Sequence, residues 1–152
     1  MRRQDTYLLQ TDRLRDQHQS ATAMIERLLK LSETCDSYDQ AYCLALQVAK
    51  LASLLRVHFA QEDCVLYATL FDCGDPEGSR IALDYFQELG GLAEKLEMFA
   101  FRWCSADTIR AGFASFQPDL AELCAQLSRR IALENAYLYP LAESVLARRL
   151  AA

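Results

Sequence analysis

Apolar positions recur along most of the chain at steps of three and four. One run is Leu14, His18, Ala21, Ile25, Leu28, and a second is Ala41, Leu44, Val48, Leu51, Leu55, His58, Glu62, Val65. A third is Ala82, Phe86, Leu89, Ala93, Leu96, Ala100, Trp103, and the last is Phe113, Phe116, Leu120, Leu123, Leu127, Arg130, Glu134, Tyr137, Leu141. Such steps trace one stripe down a helix, and the surrounding Leu, Ala, Gln, Glu and Arg favour helix as well. The pattern predicts helices over roughly 8–31, 37–71, 78–103 and 107–148. They are separated by "SETCDS", "FDCGDPEGSR" and "CSADT", with Ser37 and Asp107 as expected N-caps. Short connections between long helices imply antiparallel neighbours, hence an all-α, up-down-up-down four-helix bundle. Pro118 and Pro140 are the expected sites of a break or kink, since proline removes a donor and crowds the preceding turn.

Five polar residues interrupt these stripes: His18, His58, Glu62, Arg130 and Glu134. Charged groups are rarely buried unless they are paired or coordinate an ion. The stripes also repeat. "VHFAQEDCVLYATLF" (57–71) aligns with "RRIALENAYLYPLAE" (129–143) at an offset of 72, matching Glu62 with Glu134 and Tyr67 with Tyr139. His58 then falls on Arg130. "DQHQSATAMIERLL" (16–29) aligns in turn with "DYFQELGGLAEKLE" (84–97), setting His18 against Phe86. The chain therefore reads as two related helical hairpins, about 6–71 and 78–148, in a single domain over 1–152.

Composition agrees with a packed domain. In 152 residues, 52% hydrophobic and 24% charged, a core covering about 70% of the unfolded surface is attainable. The net charge of −5 argues against nucleic-acid or anionic-membrane partners. No uninterrupted apolar run approaches the roughly 18 residues of a membrane span. The start, "MRRQDTYLLQTDRLRDQ", turns polar too soon for a secretory signal, and the expected compartment is the cytoplasm. The six cysteines are scattered without a C-x-x-C pair, so they are expected as free thiols, several of them buried.

"DQHQSATAMIERLLKL", "LLRVHFAQEDCVLYATLFDCGDPEG" and "LSRRIALENAYLYPLAE" together resemble the hemerythrin-like, or HHE cation-binding, domains over residues 6–148. That resemblance implies a bundle holding two non-heme irons between histidines and carboxylates. It places His18 and His58 on one iron, with Glu62 as a bridging carboxylate. At the other iron it meets Phe86, Gly90 and Arg130, and its second bridging carboxylate falls on Glu134 or Asn135. A guanidinium offers only donors and cannot ligate, but it suits a carboxylate. Arg130 is thus expected to replace the second metal's charge, paired with Glu134 or Glu62.

The polar residues admit a metal-free network, favoured by the loss of half the ligands. They also admit a site for at most one metal, using His18, His58, Glu62 and Glu134, and least of all an intact two-metal centre. Expected cofactors are accordingly none or one divalent ion, with iron first and Mn(II) or Zn(II) also suited. No phosphate loop, nucleophile elbow or HExxH is present, so no enzyme is expected. The leading reading is a regulatory or sensory protein-interaction module with a degenerate or half-filled site and a protein partner, its oligomeric state open. Its alternatives are a mononuclear metal sensor and an anti-sigma-like regulator. The last rests on "HFAQED" and "RIALEN", which resemble the regulator of sigma D family.

Overall fold

The computed structural model describes Arg3–Ala152, with side chains from Gln10 onward; Met1 and Arg2, part of the basic start read above, lie outside it. Among the described residues the chain is helical, with no strand. Helix α1 (Arg3–Leu31) is followed by α2 (Tyr38–Gln61), a π-helical turn (Glu62–Tyr67) and α3 (Ala68–Phe71). Then come α4 (Pro76–Leu89), α5 (Leu92–Arg102), α6 (Ala106–Ala111) and α7 (Phe113–Leu133). A second π-helical turn (Glu134–Leu138) leads into α8 (Tyr139–Ala151). Helix α1 packs on α2, α7 and α8, while α2 also meets α5 and α6.

The polar breaks set the helix ends by capping. The Ser37 side chain accepts from the Gln40 N–H while Gln40 answers the Ser37 N–H, a reciprocal capping box. Asp75 caps α4, with Pro76 in the first turn where its missing N–H costs nothing. Ser105, not Asp107, caps α6, because its extended backbone lets the hydroxyl accept from the Thr108 N–H.

Two predicted helices are divided by glycines that the apolar pattern alone does not flag. The segment 78–103 breaks at Gly90–Gly91, where Gly91 has a φ of +81° that side chains disfavour. The segment 107–148 breaks at Gly112, not at Pro118, which lies inside α7. A Cβ at Gly112 would come within 2.9 Å of the buried Trp103 ring, so indole packing requires a glycine there.

The π turns correct the predicted stripes. Val65 and Tyr137 were expected inward, yet Leu66 and Tyr67 are buried in the first turn, Leu138 and Tyr139 at and just after the second, and Tyr137 is exposed. Widening i→i+4 bonding to i→i+5 inserts one extra residue and rotates everything after it. Pro140 is not the cause. Its repeat partner is Ala68, and the first π turn forms without a proline.

The polar residues divide the core in two. One apolar cluster gathers Ile25, Leu28, Leu44, Leu55, Phe116 and Leu127, and the other gathers Leu14, Leu66, Leu70, Leu138 and Val145. On each contributing helix the polar residue falls between them: His18 between Leu14 and Ala21, His58 and Glu62 between Leu55 and Leu66, Arg130 and Glu134 between Leu127 and Leu138. The continuous rod Tyr38–Phe71 is long and apolar enough by composition to cross a membrane, with a mean hydropathy of 1.3 over its best window, although Lys50, Arg56, Glu62 and Asp63 interrupt its apolar run. Half of that window is buried within the protein, as in a core helix.

Candidate metal centre

His18 from α1, His58 from α2, and Glu62 and Glu134 from the two π turns meet at one point, each at most 1% exposed. One ligand atom from each lies within 4.8 Å of the others, close enough to hold an ion. His18 Nε2 is 3.0 Å from His58 Nε2 and 3.1 Å from Glu134 Oε2, and His58 Nε2 is 3.2 Å from Glu62 Oε1.

The surroundings fix which ring nitrogens face inward. Asn135 Oδ1 accepts from His18 Nδ1 at 2.8 Å, and Gln17 Oε1 accepts from His58 Nδ1 at 2.8 Å. Gln17 is itself oriented by donating to Gln61 Oε1 at 3.1 Å. Amide oxygens only accept, so each Nδ1 carries a proton, and a ring without a second proton presents its Nε2 lone pair to the centre. Tyr139 adds a single O–H, which goes to Glu62 Oε1 at 2.7 Å, although its oxygen is also 3.1 Å from His18 Nε2. Glu134 Oε2 is buried with only His18 Nε2 within reach, and it receives no proton while that nitrogen is bare. Acceptors therefore converge with too few protons between them. A proton on one Nε2 relieves this, and a cation would relieve it more fully by competing for the same lone pairs.

Arg130 holds the other side of both carboxylates. Its Nε donates to Glu134 Oε1 at 2.6 Å and one Nη to Glu62 Oε2 at 2.8 Å, so each glutamate has one oxygen on the guanidinium and one toward the histidines. A third bond, 3.2 Å to the Leu89 carbonyl, lies at the C-terminal end of α4, where the helix dipole favours a cation. The Phe59 ring lies under the guanidinium, 4.1 Å from centroid to Cζ. The Gly90–Gly91 break thus ends α4 where its last carbonyls can serve Arg130.

Environment drives the two carboxylates apart. Burial pushes Glu62 up, but hydrogen bonding to His58, the Arg130 charge and the Tyr139 hydroxyl outweigh it and hold Glu62 down at about 2. Burial pushes Glu134 up as well, and the negative charge of Glu62 adds to this, against the bonds from His18 and Arg130. Burial likewise raises the Tyr139 hydroxyl, which stays protonated.

All five polar residues read from the sequence meet in this cluster. Phe86 does not. It is half exposed, with its ring edge-on to Tyr67 and Phe71. The apolar stripes give Tyr139 no role in the site, and the π turn is what carries its hydroxyl into the centre. Its alignment with Tyr67 was the available signal. Gln17 was not singled out, and Asn135, considered as a carboxylate position, instead orients His18. The cysteines take no part. None is disulfide-bonded, and only Cys124 is buried, which pushes its thiol up to about 11, whereas Cys64 and Cys104 are exposed.

A family model described as the hemerythrin HHE cation binding domain matches residues 9–142. No curated protein and no solved structure matches the chain.

Proposed function

Since the chain belongs to the hemerythrin HHE cation-binding family, we propose that it is a mononuclear variant, binding one divalent metal ion beside a permanent protein cation. The convergence of two Nε2 atoms with Glu62 Oε1 and Glu134 Oε2 at one buried point carries this reading. His18, His58, Glu62 and Glu134 would hold the ion, a mixed nitrogen and oxygen set suited to Fe(II), Mn(II) or Zn(II). Bound iron would supply a one-electron couple, and any of these ions a Lewis acid. The antiparallel up-down-up-down bundle expected of the family, in one domain, is the arrangement we adopt for presenting these residues.

The chain's own groups have definite tasks. Gln17 and Asn135 keep the Nδ1 protons outward, so both rings are ready to ligate without rearranging. Tyr139 donates to Glu62 and steadies the oxygen nearest His58. Arg130 neutralises one of two buried carboxylates, leaving the cluster at −1 when the imidazoles are neutral and at +1 with a divalent ion. The two apolar clusters above and below restrict water.

Arg130 lies where two bridging carboxylates would otherwise share a second ion, so paired-metal chemistry is not part of this reading. A binding or sensing role, signalling occupancy to a protein partner, follows more naturally than catalysis. Elemental analysis after anaerobic loading with Fe(II), Mn(II) or Zn(II) and gel filtration is the test. About one ion per folded chain is expected, lost in His18→Ala and His58→Ala. A folded chain that retains no ion defeats the proposal, and two ions per chain would show that Arg130 does not replace one.

A further inference from the structure

A pocket of about 180 Å³ lies between α1, the first π turn and α8, with Leu14, Val65, Leu66, Ala142 and Leu146 among its walls. Leu14, Leu66 and Ala142 belong to the second apolar cluster, so the pocket is a recess of that cluster. None of His18, His58, Glu62 and Glu134 lines it. An apolar cavity of about 150 Å³ accepts a benzene ring, so a tail of about six carbons fits here.

The charged residue that lines the pocket is Arg13, which is exposed and therefore marks the mouth. Its neighbour Arg15 is bonded to Glu143, but Arg13 makes no ion pair among the described residues. Among those residues no Asp or Glu lines the pocket either, in a chain that has 21 of them. Asp12 and Asp16, the acids nearest Arg13 in sequence, fall on the side of α1 away from Leu14 at helical spacing. Gln61 adds a second donor. Its oxygen is engaged by Gln17, which leaves its NH2 end for a ligand.

An apolar recess with an unpaired cation at its mouth is complementary to a molecule with one anionic and one apolar end. A carboxylate suits the guanidinium fork, and it stays at the mouth, in water, while the tail leaves water. A second carboxylate would have to enter the apolar walls unpaired, which rules out a dicarboxylate. We infer that the pocket binds a short-chain monocarboxylate, its tail of about six carbons inside and its carboxylate on Arg13. The site is separate from the metal centre and fills in the metal-free chain.

The test is a ¹H–¹⁵N NMR titration of the metal-free full chain with heptanoate at constant ionic strength. Heptanoate should saturate one site, with shifts centred on Arg13, Gln61, Val65, Thr69 and Leu146. Pentanoate, two methylenes shorter, should bind about fifteenfold more weakly, and chains longer than heptanoate should gain little once the pocket is full. The uncharged heptanamide should bind about fivefold more weakly than heptanoate. Arg13→Gln should weaken heptanoate by a similar factor and leave heptanamide unchanged. Leu146→Trp, at a part-buried position on α8, should fill the pocket and abolish binding of both. If that variant does not fold, the chain-length series in the parent chain decides without it. Equal binding of pentanoate and heptanoate overturns the proposal, as do shifts that fail to saturate or that spread over the whole surface. Heptanoate binding that is unaltered in Arg13→Gln overturns it too.

Discussion

His58, Glu62 and Tyr67 in the first half and Arg130, Glu134 and Tyr139 in the second share one spacing. Each set leads through a π-helical turn that starts at its glutamate. The local geometry is the same, yet the two tyrosines end differently. Tyr139 reaches across to Glu62 and lies beside His18, while Tyr67 has no partner for its hydroxyl. The cause lies in what faces each. Opposite Tyr139 stands His18, whereas the residue aligned with His18 in the second half, Phe86, packs edge-on to Tyr67 and offers it no polar atom. The second half has lost its imidazoles but kept its glutamate, and Arg130 stabilises both glutamates from that side. A repeated device can thus keep both of its buried glutamates paired with only one set of imidazoles, because one guanidinium reaches an oxygen of each.

The largest expected effect comes from removing that charge. In metal-free protein, Arg130→Ala leaves two buried carboxylates without their counter-charge, a loss of about 3–5 kcal/mol. The exposed Arg149→Ala should stay within about 0.5 kcal/mol by urea denaturation. An equal cost for both would show that Arg130 does not hold the pair.

The two tyrosines give the next contrast. Tyr139→Phe removes a hydrogen bond to an ionised carboxylate and should cost about 1.5–3 kcal/mol. Tyr67→Phe removes an unsatisfied hydroxyl and should be neutral or slightly stabilising in the same denaturation experiment. If both cost alike, the asymmetry between the halves is not energetic.

Arg130→His sharpens the comparison by making the second half resemble the first. Removing the competing cation should strengthen Fe(II) binding by about tenfold or more, equivalent to about 1.4 kcal/mol, as the attraction of the cluster for a cation rises. Anaerobic thermal melts should show a larger Fe(II)-dependent rise in midpoint than for the parent chain. An unchanged or smaller rise would mean that Arg130 does not oppose the ion.

The smallest effect lies away from the centre. Burial pushes the Glu143 carboxyl up, but hydrogen bonds from Arg15 and Thr11 and the charge of Arg15 bring it below its ordinary 4.5. A depressed carboxylate stabilises the fold above its unfolded value and loses that contribution as pH falls through the folded one. Glu143→Gln should therefore be less stable than the parent at pH 7 by no more than about 1 kcal/mol, with the gap closing below about pH 4.5. A gap that persists in acid would assign it to packing.

The sequence alone established the helical class, the family resemblance and the five polar residues of the centre, because each follows from periodic burial or from a side chain's chemistry. His18, His58, Glu62, Arg130 and Glu134 could be found as polar interruptions of apolar stripes, and the missing ligands could be found because the chain contains its own template 72 residues away. Tertiary structure decided the rest. The stripe analysis assumes one periodicity throughout, but a π turn gives up regular hydrogen bonding and persists only where burial of the glutamates and tyrosines around it compensates. Nothing local specifies such a turn, so the inward rotation of Tyr139 and Tyr67 was not legible. The division of the third helix at Gly90–Gly91, the outward Phe86 and the ring orientations set by Gln17 and Asn135 likewise depend on partners distant in sequence. Arg130 shows the boundary most clearly. Its chemistry announced a carboxylate partner, but only the approach of the two π turns allowed one guanidinium to hold both glutamates at once.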